Sequence, residues 1–313
     1  MHRGGSTLTG GKHLQPSEKL LLLLIITSCF SPSLVQCPEC DVMFSPLSRN
    51  KEDDLQYVNS YKPQTEGQQL RILLQGPIGA GKSSFINSVK SVLQNRPCTE
   101  SPVQSTSHSS CTKKYKAFKI KKGDSNCCYP FVLNDMAGLN ASSRKTRQLH
   151  VKDVKRALKG HIKEGYRFNP ECKLSKDDRH YNSSPSDSDK VHILVFVIDA
   201  STISSMKQEN MEVIEDIRDE ANEMGKSTLN RIRIISVDEA CPKISRDIRN
   251  VYKSVSLKKK IYKFSTDTRI NIDNIYPVKN IHSESDLKDG ADVLILHALR
   301  RIIERGDDFL NKP

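Results

Sequence analysis

Apolar residues along the chain fall into two alternating patterns, short continuous runs and runs spaced by three or four. Leu70-Arg71-Ile72-Leu73-Leu74 reads as a buried strand, and Phe85, Val89 and Leu93 then recur at intervals of four, the spacing of one helix face. Phe118 and Ile120 alternate with lysines and Phe131-Val132-Leu133 is a further apolar run. Gly123 to Asn126 between them predicts a hairpin turn joining antiparallel strands. Val191 to Ile198 has the continuity expected of a central parallel strand buried on both faces. Met206, Val213, Ile214, Ile217, Ala221 and Met224 follow at helical spacing, then a strand at Ile232 to Val237 and a shorter one at Ile275 to Val278. Asp286 to Leu310 predicts a closing helix with Val293, Leu296, Leu299 and Ile303 on one face. Strands alternating with helices predict a doubly wound α/β fold: a mostly parallel sheet with helices on both faces.

Two stretches lack such periodicity. Residues 1 to about 64 carry Pro, Ser and Gly throughout and read as an N-terminal tail or linker, with a short helix near Asp54 to Tyr61. The folded domain is expected over residues 65–313. Between Cys172 and Lys190 the chain is rich in Ser, Asp and Pro, which predicts a surface loop before the central strand.

The first strand and helix enclose Gly76-Pro77-Ile78-Gly79-Ala80-Gly81-Lys82-Ser83, the pattern G-x-x-x-x-G-K-[ST]. Each fixed position has a mechanical reason. Glycines let backbone N–H groups wrap phosphates, the lysine neutralises the β- and γ-phosphates, and the hydroxyl ligates magnesium. The helix N-terminus adds its own attraction for anions. Gly76, Gly79, Ala80, Gly81, Lys82, Ser83 and Ser84 are therefore expected to bind a purine nucleoside triphosphate with Mg2+, which makes the fold a P-loop NTPase of small-GTPase type. Asp135-Met136-Ala137-Gly138 comes directly off a strand, and its D-x-x-G spacing places Asp135 beside the magnesium and the Gly138 N–H toward the γ-phosphate. Ser83 and Asp135 are the expected Mg2+ residues. Thr106 and Thr112 are candidates for a switch threonine. At the end of the strand after the central one, Asp238 is placed either to read guanine or to cap the helix near Pro242. Lys279 and Asn280 end the last strand and are expected to form the other wall of the base pocket. Asp199 is expected to cap the turn at Ser201. Leu139 follows Gly138, where many GTPases carry a glutamine that orients water, so hydrolysis is expected to be slow and no catalytic residue is assigned.

Charge and cysteine content narrow the setting. Lys and Arg number 49 against 37 Asp and Glu, a formal +12, with basic runs at Arg144 to Arg167 and Lys243 to Lys263. No RNP-like aromatic pattern, finger spacing or repeat accompanies them, so no specific nucleic-acid signal is present and a solvated lysine-rich face is expected. Nine scattered cysteines imply no disulfide framework, and Cys37 and Cys40 form a lone C-x-x-C without a second pair. Arg3, Lys12 and Lys19 precede the apolar run Leu20 to Ile26, extended to Phe30, in the manner of a secretory signal. That run is too short to span a bilayer, and Ser33-Leu34-Val35-Gln36 offers no clean cleavage site. A cytoplasmic protein without a membrane partner is expected, with the secretory pathway as the alternative.

With Gly79-Ala80-Gly81-Lys82-Ser83-Ser84-Phe85-Ile86-Asn87-Ser88-Val89, Tyr166-Arg167-Phe168-Asn169-Pro170, the run His192 to Asp199 and the ending Asp292 to Arg301 with Asp307-Asp308-Phe309, the chain resembles the interferon-induced protein 44 family, its 44-like members included. The resemblance covers roughly residues 55 to 313. It implies a cytoplasmic, interferon-inducible protein of innate antiviral responses whose nucleotide domain favours GTP. The expected partners are then GTP and GDP, a second copy of the chain and an unidentified protein. Two departures stand out. Residues 1 to about 50 are too short and irregular for the TLD-like domain that members often carry, and the family's T-H-V-D-type base motif reads Ile235-Ser236-Val237-Asp238 here.

Overall fold

A computed structural model describes residues 51–99, 101, 114–123, 126–139, 143–223, 232–238, 242–282 and 290–311. All of these lie in one compact unit, residues 45–313. In chain order the elements are α1 (Lys51–Ser60), β1 (Leu70–Gln75), α2 (Lys82–Gln94), β2 (Lys116–Lys121), β3 (Cys128–Asp135), α3 (Arg144–Leu158) and β4 (Ile193–Asp199). Then come α4 (Gln208–Glu223), β5 (Ile232–Ser236), α5 (Pro242–Arg246), α6 (Val255–Thr268), β6 (Ile275–Val278) and α7 (Ala291–Leu310).

The six strands form one sheet in the order β2-β3-β1-β4-β5-β6. Only the β2–β3 pair is antiparallel, as expected for strands joined by a hairpin; beyond the strand ends Lys122 N–H donates to Cys127 O at 2.9 Å, and residues 124 and 125 of the expected turn lie outside the described residues. Central β4 is apolar along both faces and β1 along one, the other face of β1 carrying Arg71, Leu73 and Gln75. Leu70, Ile72 and Leu74 share one core with Phe85 and Val89 of α2 and with Ile295, Leu299 and Ile302 of α7. Leu73, Leu194, Phe196 and Ile198 point the other way and are buried too, so both faces are covered as the continuous apolar runs predicted.

Helix α7 carries Gly306 in its interior, where glycine costs about 1 kcal/mol relative to alanine. A Cβ there would stand 2.6 Å from Leu70 Cδ1, so the missing side chain lets the helix lie close on β1. Helix α1 packs against α7 and adds Val58 to the same core. Arg300 Nη1 donates to Asp54 at 3.0 Å, Tyr61 Oη donates to Asp307 at 3.0 Å, and the Arg300 guanidinium lies over the Tyr57 ring.

Three sequence expectations shift. Met206 precedes its helix because Asp199 accepts from Ser201 N–H at 2.7 Å and the chain turns through Thr202 and Ser205 before α4 begins. The run Lys243 to Lys263, expected as a solvated face, holds two helices. Buried Leu257, Ile261 and Phe264 of α6 alternate with lysines that masked the spacing. Loop 172–190 keeps its irregular course apart from one helical turn, Asp187–Asp189. Met224, residues 286–289, Thr106, Thr112, Cys37 and Cys40 lie outside the described residues.

Candidate nucleotide site

The glycine loop connects β1 to α2 at the carboxyl edge of the sheet. Gly76, Gly79 and Gly81 all take positive φ, at 149°, 78° and 91°. Gly76 is also confined: a Cβ would meet the Val197 carbonyl oxygen of β4 at 2.1 Å, so the loop leaves β1 against the backbone of the neighbouring strand. Ala80 is buried, its N–H donating to Pro77 O at 3.3 Å. Lys82, the first residue of α2, is buried and folds back over the loop, Nζ donating to Pro77 O at 2.9 Å and Gly76 O at 3.1 Å. Burial lowers its pKa, an effect that the nearby Asp135 carboxylate partly offsets.

Ser83 Oγ donates to Asp135 Oδ2 at 2.7 Å, so the two residues expected to share Mg2+ are in contact. A hydroxyl beside a carboxylate is the hard-oxygen donor set that Mg2+ takes from proteins, with the remaining positions left to phosphate and water. Among the described residues no group of three or more His, Cys, Asp and Glu side chains is placed to hold a metal, so a Mg2+ here would depend on the nucleotide's own oxygens. Ser84 is buried one residue on, its carbonyl accepting from Ser88 Oγ at 2.7 Å.

The D-x-x-G segment lies directly on the glycine loop. Leu139 N–H donates to Gly76 O at 2.9 Å, and a Cβ on Gly138 would stand 2.9 Å from both Ile78 Cα and Lys82 Nζ. Met136, Ala137 and Leu139 are buried.

At the other end of the site Asp238 and Asn280 meet. Asn280 donates to the Asp238 carboxylate from its backbone N at 2.7 Å and from Nδ2 at 2.8 Å, and its amide also lies 3.4 Å from Ser236 Oγ. Burial pushes the Asp238 carboxyl up, but hydrogen bonds from His282, Asn280 and Ser236 outweigh it and leave the pKa below the ordinary value. The Asn280 side chain reaches toward α2, its Oδ1 lying 3.3 Å from Ser88 Oγ, and the next residue's backbone makes the bond: Ile281 N–H donates to Ser88 Oγ at 2.9 Å. Lys279, next to it, is half-buried. Phosphate-end and base-end residues named from the sequence thus line one edge of the sheet.

Sequence reading missed a layer beneath the loop. Gln75 Oε1 accepts from Gly76 N–H at 2.8 Å, and its Nε2 lies 3.1 Å from His150 Nε2 on α3. With the amide oxygen committed to Gly76, the amide nitrogen donates and the imidazole Nε2 accepts. His150 is fully buried, and burial, with the Lys82 charge as a second cause, pushes its pKa down to about 3. The segment Tyr166-Arg167-Phe168 closes over this helix: Phe168 meets the His150 ring edge-on at 4.7 Å, and Tyr166 Oη donates to buried Asp153 one turn further along. No local spacing marks His150, since its partners are 75 residues upstream and 18 downstream in the chain.

The strand order, the loop between β1 and α2 and the acidic D-x-x-G segment at the end of β3 define a P-loop NTPase fold of small-GTPase type. No family profile matches the chain. Over 244 residues it is 35% identical to interferon-induced protein 44 of Pan troglodytes, covering 78% of this chain and 53% of that protein. The Mus musculus protein of the same name is 32% identical, covering 82% and 59%, and interferon-induced protein 44-like of Homo sapiens is 29% identical, covering 81% and 55%. The chain is a homologue of the interferon-induced 44 and 44-like proteins, and it spans about half the length of those relatives. Among solved structures, Toc33 from Arabidopsis thaliana in complex with GDP and Mg2+ aligns with a TM-score of 0.46 at 12% identity, covering 85% of this chain and 95% of that one. The signal recognition particle receptor SRb-GTP/SRX complex from Chaetomium thermophilum aligns with a TM-score of 0.34 at 15% identity, covering 68% and 94%.

Proposed function

We propose that this chain binds GTP and GDP with Mg2+ at the loop Gly76 to Ser84, and serves as a slow nucleotide switch or assembly unit in an interferon-induced antiviral response. The observation that carries this reading is the convergence of Lys82, Ser83 and Asp135 at one end of a loop whose glycines take positive φ. In that arrangement Lys82 offsets phosphate charge, and Ser83 with Asp135 would hold Mg2+. Bound Mg2+ would supply charge neutralisation between the phosphates. Asp238 would accept from the guanine N1–H and amino group, held in place by Asn280, while Lys279 flanks the base. The interferon-induced setting comes from the names of the relatives, and the antiviral role is what the resemblance to their family implies. A cytoplasmic location fits a nucleotide switch, and no described helix is long and apolar enough to cross a membrane.

A second reading, a nucleotide-binding scaffold without turnover, is favoured by the apolar Met136, Ala137 and Leu139 beside the expected γ-phosphate position. Calorimetric titration of the chain with GTP, GDP and ATP, each with and without Mg2+, tests the binding claim. Lys82→Ala should weaken GTP binding at least tenfold, about 1.4 kcal/mol. Unchanged affinity in that variant would remove the claim. Phosphate release distinguishes switch from scaffold.

A further inference from the structure

Helix α6 presents two opposite faces. Leu257, Ile261, Phe264 and Thr268 are buried on the inner side, where the helix packs on α4, while Val255, Lys259, Tyr262 and Thr266, at the same spacing but on the other side, are exposed. Val255, 63% exposed, and Tyr262, 36% exposed, are the exposed large apolar side chains among the described residues. Single exposed apolar residues are ordinary on a soluble surface. Here both stand on one ridge, about 10 Å apart at 1.5 Å per residue, with Lys259 between them and Lys263 beside Tyr262. Between Pro242 and Thr268 the chain carries eight Lys and Arg against two Asp. Both acids are already paired, Asp247 with Arg249 at 2.9 Å and Asp267 with Lys263 at 2.5 Å. Exposed Lys243, Arg246, Arg249 and Lys253 extend the positive surface onto α5 and the turn that follows it.

We propose that this ridge of α6 docks on an anionic lipid surface, with Val255 and Tyr262 entering the headgroup region and the lysines contacting acidic headgroups. The charge selects an anionic partner, and the apolar pair selects among anionic partners. Nucleic acid is gripped by cations and by aromatic stacking, to which Val255 contributes nothing. A stable protein interface covers about 800 Å² on each partner, and two separated side chains on a convex helix offer no groove to anchor one. A headgroup layer accepts a shallow convex insertion, while lysine stems lie along the interface and their ammonium groups stay in water. The contact lies along the surface and requires no spanning helix. It is independent of the nucleotide reading.

The test is co-sedimentation of the full chain with phosphatidylcholine vesicles, with and without phosphatidylserine, across a salt series. The protein should pellet with phosphatidylserine vesicles and be released as salt rises. Lys259→Gln with Lys263→Gln should lower the partition coefficient about thirtyfold, at about 1 kcal/mol per lysine near an anionic surface. Val255→Ser with Tyr262→Ser should lower it by a similar factor, and GTP affinity should not change in either variant. All four positions are exposed, so unchanged melting temperatures will show that the fold is kept. Because the apolar run Leu20 to Ile26 offers a second lipid-binding segment, the readout is the loss on substitution, not the total bound. Equal pelleting with neutral vesicles, or variants that pellet like the parent chain, would overturn the proposal. So would duplex DNA that binds the parent and the Val255/Tyr262 variant alike and strips both from the vesicles.

Discussion

Ser83 Oγ and Asp135 Oδ2 are 2.7 Å apart, which joins the first turn of α2 to the last residue of β3. The residues are separated by 52 positions in the chain, and the sheet order brings them together because β3 pairs directly with β1. Ser83→Ala removes the hydroxyl while leaving the carboxylate and the loop. GTP affinity measured with Mg2+ should fall at least tenfold, about 1.4 kcal/mol, and should fall much less in excess EDTA. Equal losses under the two conditions would show that Ser83 does not act through the metal.

Gly76 and Gly79 differ in a way that predicts different costs. Gly79→Ala meets nothing within 4 Å and bears only the backbone penalty of its positive φ, about 1–2 kcal/mol. Gly76→Ala adds a collision with the Val197 carbonyl at 2.1 Å, which forces β1 and β4 apart at the start of the loop. It should melt several degrees lower than the Gly79 variant and lose GTP binding. Matching melting curves would mean that the loop relaxes around the added methyl group.

Leu139 occupies the position where a glutamine would orient water, and it is buried with its N–H bonded to Gly76 O. An apolar side chain cannot hold a water for in-line attack. Intrinsic GTP hydrolysis should therefore run on the order of 10⁻⁴ to 10⁻² per second. Phosphate release across a protein-concentration series measures it. Dilute protein turning over near 1 per second would show that another group positions the water, whereas a specific rate climbing with concentration would assign that role to self-assembly.

Asp238→Asn should weaken GTP about tenfold, by the loss of one charge-assisted pair, and improve binding of xanthosine triphosphate, whose edge matches the amide. ATP bound by the parent chain as tightly as GTP would remove Asp238 as a base reader.

His150 predicts a pH dependence. Its pKa falls from 6.5 in the unfolded chain to about 3 in the fold. Between those values the unfolded state binds the extra proton, so stability is complete above about pH 6.5 and declines as pH falls toward 3, by about 1.4 kcal/mol per unit. His150→Gln keeps an acceptor for Gln75 and removes the titrating group. Urea unfolding at pH 7 and pH 5 should show a smaller loss in the variant than in the parent. An identical loss would place the acid sensitivity elsewhere.

Elements with an uninterrupted signal could be read directly. Val191 to Ile198 is apolar almost throughout because a central strand has no solvent face, and in Gly76 to Ser83 the glycines fall where the loop takes positive φ, so the spaced pattern marks the loop directly. Helix α6 was hidden because lysines on its outer side dilute the period of Leu257, Ile261 and Phe264. The contact between Asp238 and Asn280 was also beyond local pattern, since it depends on β5 and β6 ending at the same height 42 residues apart. The support of Gly76 by Gln75 and His150 depends on α3 passing beneath the loop, and periodicity carries no information about that.

Asn280 changes how affinities at this edge are to be interpreted. It grips Asp238 at two points, its neighbour Ile281 N–H donates to Ser88 Oγ at 2.9 Å, and its amide nitrogen lies 3.0 Å from where a Gly81 side chain would begin. The Asp238 carboxylate and helix α2 are thus fastened to one short segment, Asn280 and Ile281, like the jaws of a caliper cut from a single block. Such a caliper has a fixed span. In the proposed nucleotide site it would gauge the distance from purine edge to phosphate instead of sensing each end separately, and loosening Asn280 would blur both readings at once.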